Sequence, residues 1–178
     1  MSILTELNHD LFTMIYMSWR NSIWAFEAAS FFSHHLTTIL AVLLLLSTLL
    51  KKGYPTLFLK ALVVTLCASV INYLIDHTLY FPRPFMLGLG DNHIKHSDDN
   101  SFPSSHMLII STITFAYLFS SKRWIGCGLL LAAFAIGWSR IYFGVHFPFD
   151  ILGSLLIALG LNFAAYYILR RQAPQWIG

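Results

Sequence analysis

Five long apolar runs make up most of this sequence and constrain its fold more than any other feature. The runs cover residues 23–50, 57–79, 104–119, 124–141 and 148–169. A helix of about 20 apolar residues can cross the ~30 Å hydrocarbon core of a bilayer. Of the 178 residues, 57% are hydrophobic and only 11% are charged, whereas soluble domains carry about 25% charged residues. The sequence therefore predicts an all-α integral membrane protein, a polytopic helical bundle of about five transmembrane helices in one domain, 1–178.

The segment before the first apolar run has a different pattern. Residues 3–19 place apolar and polar side chains on opposite sides of a helix. The apolar positions are Leu4, Leu7, Leu11, Phe12 and Ile15, and the polar ones are Glu6, His9 and Asp10. This pattern is typical of an amphipathic helix in the membrane interface, and a short, partly inserted segment is the alternative. We expect residues 1–22 to form this N-terminal segment and residues 57–169 to form the core that carries the motifs.

Basic residues mark three of the predicted helix ends. They are Lys51, Lys52 and Lys60 after the first run, Lys122 and Arg123 after the third, and Arg170 and Arg171 after the fifth. The positive-inside rule places these ends on the cytoplasmic side. The loop over residues 80–103 and the connection over residues 140–146 should then share the outer face. The formal net charge of +3 is too small and too scattered for nucleic-acid binding.

The connection between the last two runs contains three charged or titratable residues within eleven positions: Arg140, His146 and Asp150. An ionised side chain at the centre of a spanning helix costs roughly 2.5–3.5 kcal/mol, so such a cluster at a membrane boundary indicates function. Pro148 suits the first turn of a helix, which puts Asp150 in that turn, four residues after His146. We expect the carboxylate to hold one imidazole nitrogen and to leave the other as a nucleophile or base.

A second polar patch, residues 101–106, precedes the third run. Pro103 is suited to start that helix, so the amides of Ser104, Ser105 and His106 are predicted to be unpaired donors at a helix N-terminus. Such donors form an anion-binding site from backbone groups alone.

A third patch, residues 81–85, follows the second run and contains Arg83. Together with Arg140 it would supply forked donors that match phosphate oxygens. His146 would provide the attacking nitrogen, and His106 would provide a proton for the leaving oxygen. Three such patches on one predicted face suit phosphoryl transfer, in which positioning and charge stabilisation do most of the work.

Each patch also has a purely structural interpretation. Arg83 alone is typical of a snorkelling surface arginine, His106 of a polar contact between helices, and the pair His146 and Asp150 of a hydrogen bond at a helix start. Two histidines and a carboxylate could also hold zinc. Arg83 and Arg140 argue against a metal, because they would repel a divalent cation. We therefore expect neither a metal nor another cofactor.

The patches match the motifs of a known family in order and spacing. Arg83-Pro84, then Pro103-Ser104-Ser105-His106, then Ser139-Arg140 with five residues to His146 and three more to Asp150, resemble Lys-x6-Arg-Pro, Pro-Ser-Gly-His and Ser-Arg-x5-His-x3-Asp of the type 2 phosphatidic-acid phosphatase superfamily. The resemblance extends over residues 57–169. It implies a metal-independent hydrolase that acts on lipid phosphates through a phosphohistidine intermediate.

The resemblance also implies a role for each matched residue. His146 resembles the nucleophile, Asp150 its orienting partner and His106 the general acid. The implied phosphate ligands are Arg83, Ser104 and Arg140, with the amide of Ser105.

This sequence departs from the family motifs at two positions. The lysine of the first motif falls at Asp76, so one phosphate-binding cation is missing, and Lys95 in the following loop is the predicted substitute. The glycine of the second motif is Ser105, which keeps an amide donor but allows less close backbone approach.

The short chain, the Asp-Asp-Asn-Ser-Phe-Pro-Ser sequence before the second motif and the outward-facing site resemble the bacterial undecaprenyl-diphosphatase branch. This implies hydrolysis of the polyprenyl diphosphate carrier of cell-wall synthesis at the periplasmic face of the inner membrane. The alternatives are a phosphatase for phosphatidylglycerophosphate, phosphatidate or diacylglycerol diphosphate, a lipid A phosphotransferase, and a haem-binding or transport protein that uses its eight histidines. The expected partners are the lipid substrate and membrane lipids, and the sequence does not indicate an oligomeric state.

Overall fold

The computed structural model describes residues 3–49, 54–92, 94 and 96–172, and the regular secondary structure of these segments is entirely helical. In chain order the α-helices are α1 Ile3–Trp19, α2 Ile23–Phe31, α3 Thr37–Ser47, α4 Tyr54–Thr78, α5 Ser105–Leu118, α6 Arg123–Tyr142 and α7 Pro148–Gln172. A π-helical turn, Phe32–Leu36, joins α2 to α3, and a 3-10 turn, Pro84–Leu87, lies in the loop after α4. The predicted all-α fold is confirmed.

Four helical segments are long and apolar enough to cross a membrane: Ile23–Ser47, Tyr54–Thr78, Arg123–Tyr142 and Pro148–Arg171. Their outward faces carry large apolar side chains that are more than half exposed, among them Leu66, Phe134, Leu156 and Phe163. Apolar surface of this extent is suited to lipid and not to water. The protein is therefore a multi-pass membrane protein.

The helix α5 differs from these four, because its 14 residues extend only about 21 Å. It lies at the centre of the bundle, where it packs against α4, α6 and α7. Its buried side chains include Met107, Ile110 and Tyr117. The third of the five predicted membrane helices is therefore a short internal helix enclosed by longer ones.

The basic ends of α6 and α7 lie on the same side as the start of α4, whereas Lys51 and Lys52 lie outside the described residues. Lys122 Nζ lies over the Tyr54 ring at 5.2 Å, which joins the start of α6 to the start of α4. The rings of Phe119 and Tyr166 are 6.1 Å apart, which brings the end of α7 to the same side. Lys60, however, is buried at 6% exposure within α4.

The N-terminal helix forms over the predicted residues and packs against α6 and α7. Its contact surface is centred on Phe12 and Tyr16, while Leu4 and Leu7 are 65% and 46% exposed. His9, expected on the polar side, stacks on Phe147 with 5.1 Å between ring centroids. The helix thus contacts the residues that lead into α7, whereas its location in the membrane interface stays a prediction.

A glycine in α7 lets the loop before α5 approach the bundle closely. A Cβ atom built on Gly153 would lie 2.2 Å from Phe102 Cε2, so any side chain there would displace the phenyl ring. Phe102 directly precedes Pro103 and the start of α5. Close approach at Gly153 therefore brings the second motif against the helix that follows the third.

Candidate active site

Asn100 closes the long loop between α4 and α5. Its Oδ1 accepts from the Phe81 amide at 2.8 Å, and its Nδ2 donates to the carbonyls of Leu79 and Phe102 at 3.1 and 2.9 Å. The Ser101 amide also donates to the Phe81 carbonyl at 2.8 Å. These bonds hold the two ends of the loop side by side, so the first and second motifs are brought together by a residue that the sequence reasoning missed.

Asp150 organises the start of α7. Its Oδ2 accepts from the Phe147 amide at 2.7 Å and from Ser101 Oγ at 2.5 Å. The contact with the Phe147 amide is the reciprocal half of a capping box, in which the third helical residue reaches back to the N-cap. The predicted helix start at Pro148 is confirmed.

The His146 ring is oriented by a different group from the one predicted. Nδ1 lies 2.8 Å from the Ser101 carbonyl oxygen, but 3.8 Å from Asp150 Oδ2. The predicted direct hydrogen bond to Asp150 is absent because the Phe147 amide and the Ser101 hydroxyl engage that oxygen instead. Since a carbonyl only accepts, Nδ1 carries the proton and Nε2 carries the lone pair.

His146 is held in its neutral form. The side chain is 2% exposed, and burial lowers its pKa to about 4, with Arg83 and Arg140 adding to the effect and Asp150 opposing it. Burial disfavours the charged imidazolium. At neutral pH the lone pair on Nε2 is therefore available, as a nucleophile requires.

Arg83 connects the three motifs instead of lying at the surface. It is 4% exposed, and its Nε and Nη2 donate to Asp99 Oδ1 at 2.8 and 2.6 Å. Nη2 also donates to the Asn100 carbonyl at 2.7 Å. Nη1 lies 2.8 Å from the Val145 carbonyl and 3.3 Å from His146 Nε2. This environment is incompatible with a snorkelling side chain.

Asp99 forms an ion pair with the fork of Arg83 from the loop side, and the sequence reasoning missed this pair. Its side chain is 47% exposed. Partial burial raises its pKa, but hydrogen bonds from Ser97 and Arg83 outweigh burial and hold the pKa below its usual value. The carboxylate is therefore ionised at neutral pH and binds the same donors that a phosphate oxygen would use.

Arg140 and Ser104 contribute buried polar atoms that lack partners. Arg140 is 2% exposed, and Ser104 is fully buried. Arg140 Nη1 donates to Ser33 Oγ at 2.7 Å. Among the described residues, its Nε and Nη2 and the Ser104 hydroxyl have no hydrogen-bond partner. Buried polar atoms are nearly always paired, so these three positions indicate a site for an acceptor-rich ligand.

The helix α5 begins at Ser105, and Ser104 is its N-cap in an extended conformation. The predicted start at Pro103 is therefore two residues early, because the ψ of Ser104, 112°, is not helical. The first-turn amides belong to Ser105, His106 and Met107. Predicted donors Ser105 and His106 thus remain at the helix N-terminus, and Ser104 provides its hydroxyl.

A polar cavity of about 130 Å³ brings Arg83, Ser105 and His106 together with His146, whereas Ser104, Arg140 and Asp150 are not among its lining residues. It is lined by Asn72, Asp76, Arg83, His96, Asp99, Asn100, Pro103, Ser105, His106 and His146. Asp76, at the position of the family's lysine, is therefore part of the site wall. Lys95 lies outside the described residues, so its contact with phosphate stays a prediction.

His96 is a further histidine of this cavity that the sequence reasoning did not single out. Its ring centroid is 6.4 Å from that of His146, and its Nδ1 lies 3.7 Å from Asp99 Oδ1. Burial lowers the pKa of His96, and the positive charges of Arg83 and Arg140 lower it further. Only its position two residues before an acidic pair could have indicated it.

The alternative zinc site does not fit these contacts. Within the described part of the chain, no three histidine, cysteine or carboxylate side chains are arranged to hold a metal ion. Asp150 Oδ2 is already bonded to Phe147 and Ser101.

Comparison with known sequences identifies the family. A sequence model of the PAP2 superfamily matches residues 57–174. The chain belongs to the PAP2 superfamily. The matched region contains all three motifs and begins after the first long helix.

Two relatives of this chain are named as undecaprenyl-diphosphatases, one of them putatively. The putative undecaprenyl-diphosphatase YbjG of Escherichia coli (strain K12) is 34% identical over 160 residues, which are 88% of this chain and 80% of that protein. The undecaprenyl-diphosphatase BcrC of Bacillus subtilis (strain 168) is 39% identical over 105 residues, which are 59% of this chain and 54% of that one.

Two solved structures share the fold. LpxE of Aquifex aeolicus superposes with a TM-score of 0.66 at 26% identity, over 90% of this chain and 95% of that one. A PAP2 type phosphatidylglycerolphosphate phosphatase of Bacillus subtilis superposes with a TM-score of 0.67 at 18% identity, over 97% and 89% of the two chains. Family, relatives and fold together support a membrane lipid phosphatase, so the predicted family and enzyme class are confirmed.

Proposed function

We propose that this protein hydrolyses undecaprenyl diphosphate to undecaprenyl phosphate and inorganic phosphate through a phosphohistidine intermediate. One observation carries the proposal: a buried, neutral His146 presents the lone pair of Nε2 in a cavity that also contains Arg83 and His106. The similarity to YbjG and BcrC, which are named as undecaprenyl-diphosphatases, supports the choice of substrate.

In the first half of the proposed reaction, Nε2 of His146 attacks the terminal phosphorus. The bond between that phosphorus and the bridging oxygen breaks, and His106 donates a proton to the departing lipid phosphate. Burial lowers the pKa of His106 to about 4 in the free protein, so His106 takes up this proton from solvent when the bound phosphate anion raises its pKa. In the second half, water attacks phosphorus, His106 takes its proton, and the N–P bond breaks to release inorganic phosphate. His106 thus acts as a general acid in the first half of the reaction and as a general base in the second.

Three groups are proposed to bind the phosphate. Arg140 contributes Nε and Nη2, and Ser104 contributes its hydroxyl, because these donors are buried and have no partner in the described segments. Arg83 joins them when its Nη1, 3.3 Å from His146 Nε2, turns to a phosphate oxygen and frees the nucleophile. The donors of Arg140 and Ser104 are held in place before substrate binds, so they can stabilise the transition-state charge without reorganisation.

Asp150 is proposed to act through Ser101. Its Oδ2 accepts from Ser101 Oγ, while the Ser101 carbonyl accepts from His146 Nδ1. Once Nε2 is phosphorylated the imidazole becomes cationic, and both the carbonyl and the carboxylate 3.8 Å away stabilise that charge. Asp150 is therefore a positioning residue as well as the helix cap.

The proposed location is the bacterial inner membrane, with the site toward the periplasm, in a single domain spanning residues 1–178. The basic ends of the bundle lie together around Tyr54 and Lys122, and the cavity lies at the other ends of α4 and α6. The positive-inside rule assigns the basic ends to the cytoplasm. Labelling of an added cysteine in the loop after α4 by a membrane-impermeant reagent in intact cells tests this orientation.

Phosphate release from a panel of lipid phosphates by the detergent-purified protein tests the function. The panel contains undecaprenyl diphosphate, phosphatidylglycerophosphate, phosphatidate and diacylglycerol diphosphate, and a labelled lipid A acceptor reports phosphotransfer. We expect the highest kcat/KM for undecaprenyl diphosphate. A preference for another lipid, or transfer to lipid A instead of water, would contradict the substrate assignment while leaving the site intact.

The nucleophile is tested separately. His146→Ala should lower the rate of phosphate release at least about 10⁴-fold, because no other group in the site replaces a covalent catalyst. His77→Ala is the matched control, since that ring is exposed and bonded to the Tyr73 carbonyl of its own helix. Substantial activity in a monodisperse His146→Ala protein would refute the mechanism.

A further inference from the structure

The Arg140 guanidinium is buried without a carboxylate. Its side chain is 2% exposed, and among the described residues no aspartate or glutamate forms an ion pair with it. An uncompensated buried charge is strongly unfavourable. Such a side chain is retained where a ligand supplies the missing anion.

One edge of this guanidinium is already engaged, and the other is free. Nη1 donates to Ser33 Oγ at 2.7 Å, whereas Nε and Nη2 have no partner in the described part of the chain. Nε and Nη2 together form the fork that matches two oxygens of a phosphate. The contact at Nη1 is therefore placed to decide which edge is presented to the ligand.

Ser33 comes from a region that carries no motif. It lies 107 residues from Arg140 in sequence and before residue 57, where the match to the family begins. Its side chain is 4% exposed, inside the π-helical turn Phe32–Leu36 of the membrane-spanning segment Ile23–Ser47. Single π-helical turns inside longer helices occur frequently at functional sites.

We propose that Ser33 is a positioning residue of the phosphate site: it fixes the plane of the Arg140 guanidinium so that Nε and Nη2 bind the phosphate that His146 attacks. This inference rests on the proposed function, because it assumes that phosphate occupies the site. The inference extends the phosphate site to the first membrane-spanning segment. The three motifs between residues 83 and 150 then do not supply all the residues of the site.

The chemistry of serine suits this task. All polar atoms of an arginine side chain are donors, so its partner must accept a hydrogen bond. A carboxylate at this position would neutralise the guanidinium and compete with phosphate. A hydroxyl accepts from Nη1 and leaves the positive charge available for the ligand.

Ser33→Ala removes the acceptor and little volume. We expect KM for a lipid phosphate, and the orthovanadate concentration that halves activity, to rise about 10-fold, the size of one hydrogen bond to a charged group. Ser47→Ala is the matched control, because Ser47 lies on the same segment and its hydroxyl donates to the Leu44 carbonyl. It should leave both quantities within about 2-fold of the wild-type values.

A double-mutant cycle distinguishes positioning from a general packing effect. Arg140→Lys keeps the charge but removes the fork, so phosphate binding is weaker and still measurable. If Ser33 acts through the guanidinium, Ser33→Ala should change orthovanadate inhibition less than about 2-fold in the Arg140→Lys background. Residues that act through one another are non-additive in such cycles. An equal, roughly 10-fold effect in both backgrounds would overturn the proposal.

Thermal protection by orthovanadate provides a readout that needs no lipid. The wild-type protein should melt at a higher temperature with orthovanadate, and Ser33→Ala should need about 10 times more for the same shift. Equal protection of Ser33→Ala and wild type overturns the inference alone. No protection of the wild type overturns the phosphate site and the proposed function with it. If Ser33→Ala is not monodisperse, Ser33→Cys, with a weaker acceptor of similar shape, must give an intermediate shift.

Discussion

The two buried arginines of the site have opposite environments. Arg83 meets a carboxylate, two carbonyls and an imidazole, so its donors are engaged before any ligand arrives. Arg140 donates to one hydroxyl, and its other two nitrogens have no partner among the residues that the structure describes. The difference shows that two residues with the same family role need not share the same task. In the free protein Arg83 holds the loops together, and it must exchange one of these contacts before it can bind the proposed phosphate.

Because of this difference, we expect replacement of Arg83 to affect mainly the stability of the protein and replacement of Arg140 to affect mainly its activity. The first arginine is part of a satisfied polar network, whose members are expensive to remove singly. The second is an uncompensated buried charge, whose removal relieves an unfavourable term. The comparison therefore predicts opposite effects on melting temperature.

Of the substitutions at the two arginines, Arg140→Ala should have the larger effect on activity. We expect kcat/KM for undecaprenyl diphosphate to fall about 10³-fold or more, the range for loss of one donor group to a developing oxyanion. The melting temperature without ligand should stay the same or rise. Phosphate release and thermal unfolding of the same preparation measure both quantities, and a large loss of melting temperature would show that Arg140 is structural after all.

Arg83→Met should have the largest effect on stability. It leaves the Asn100 and Val145 carbonyls and the Asp99 carboxylate without their donor, and breaking a buried ion pair costs about 3–5 kcal/mol. That figure is an upper limit here, because Asp99 is 47% exposed and solvent screens it. The melting temperature should fall by several degrees, and orthovanadate should restore part of it. An unchanged melting temperature would remove the contrast between the arginines.

The sequence predicted the parts of the site that local patterns encode. Apolar runs located the long helices, and Pro148 marked the start of α7 because its ring suits a first helical turn. Motif spacing identified Arg83, His106 and His146, which do line one cavity. The predicted third span forms the helix α5, whose side chains face its neighbours and not lipid. The sequence did not reveal this, because a run of apolar residues looks the same whether it faces lipid or protein.

The contacts that decide what each residue does depend on tertiary packing. The Ser33 hydroxyl reaches Arg140 across 107 residues, and a serine in an apolar helix carries no sign of such a partner. The orienting group of His146 is the carbonyl of Ser101. Every residue has a carbonyl, so sequence reasoning chose Asp150, the nearest side chain with the right charge.

The pH dependence of the reaction reports on both arginines at once. The pKa of His146 is lowered to about 4 by burial, with Arg83 and Arg140 as further causes. The attacking nitrogen needs its lone pair, so activity should persist as pH falls through 6.5 and decline only near pH 4. A decline of both kcat and kcat/KM near pH 6.5 would show that the His146 ring has its ordinary pKa and is therefore exposed to water. Arg140→Lys retains the charge and should leave this limb in place.

Asp99→Asn should have the smallest effect, and it tests whether the engaged state of Arg83 limits phosphate binding. The carboxylate of Asp99 binds Nε and Nη2 of Arg83, the edge that a phosphate would use, and its lowered pKa keeps it charged. A neutral amide competes less well for these donors, so the orthovanadate concentration that halves activity should fall about 2- to 5-fold.

The free energy of unfolding of Asp99→Asn should drop by no more than about 1 kcal/mol, as for other exposed ion pairs. Asp98→Asn, next to it in sequence, is the control. If Asp99→Asn instead weakens orthovanadate inhibition, the carboxylate holds Arg83 in its binding position, and both arginines are prepared for phosphate in the free enzyme.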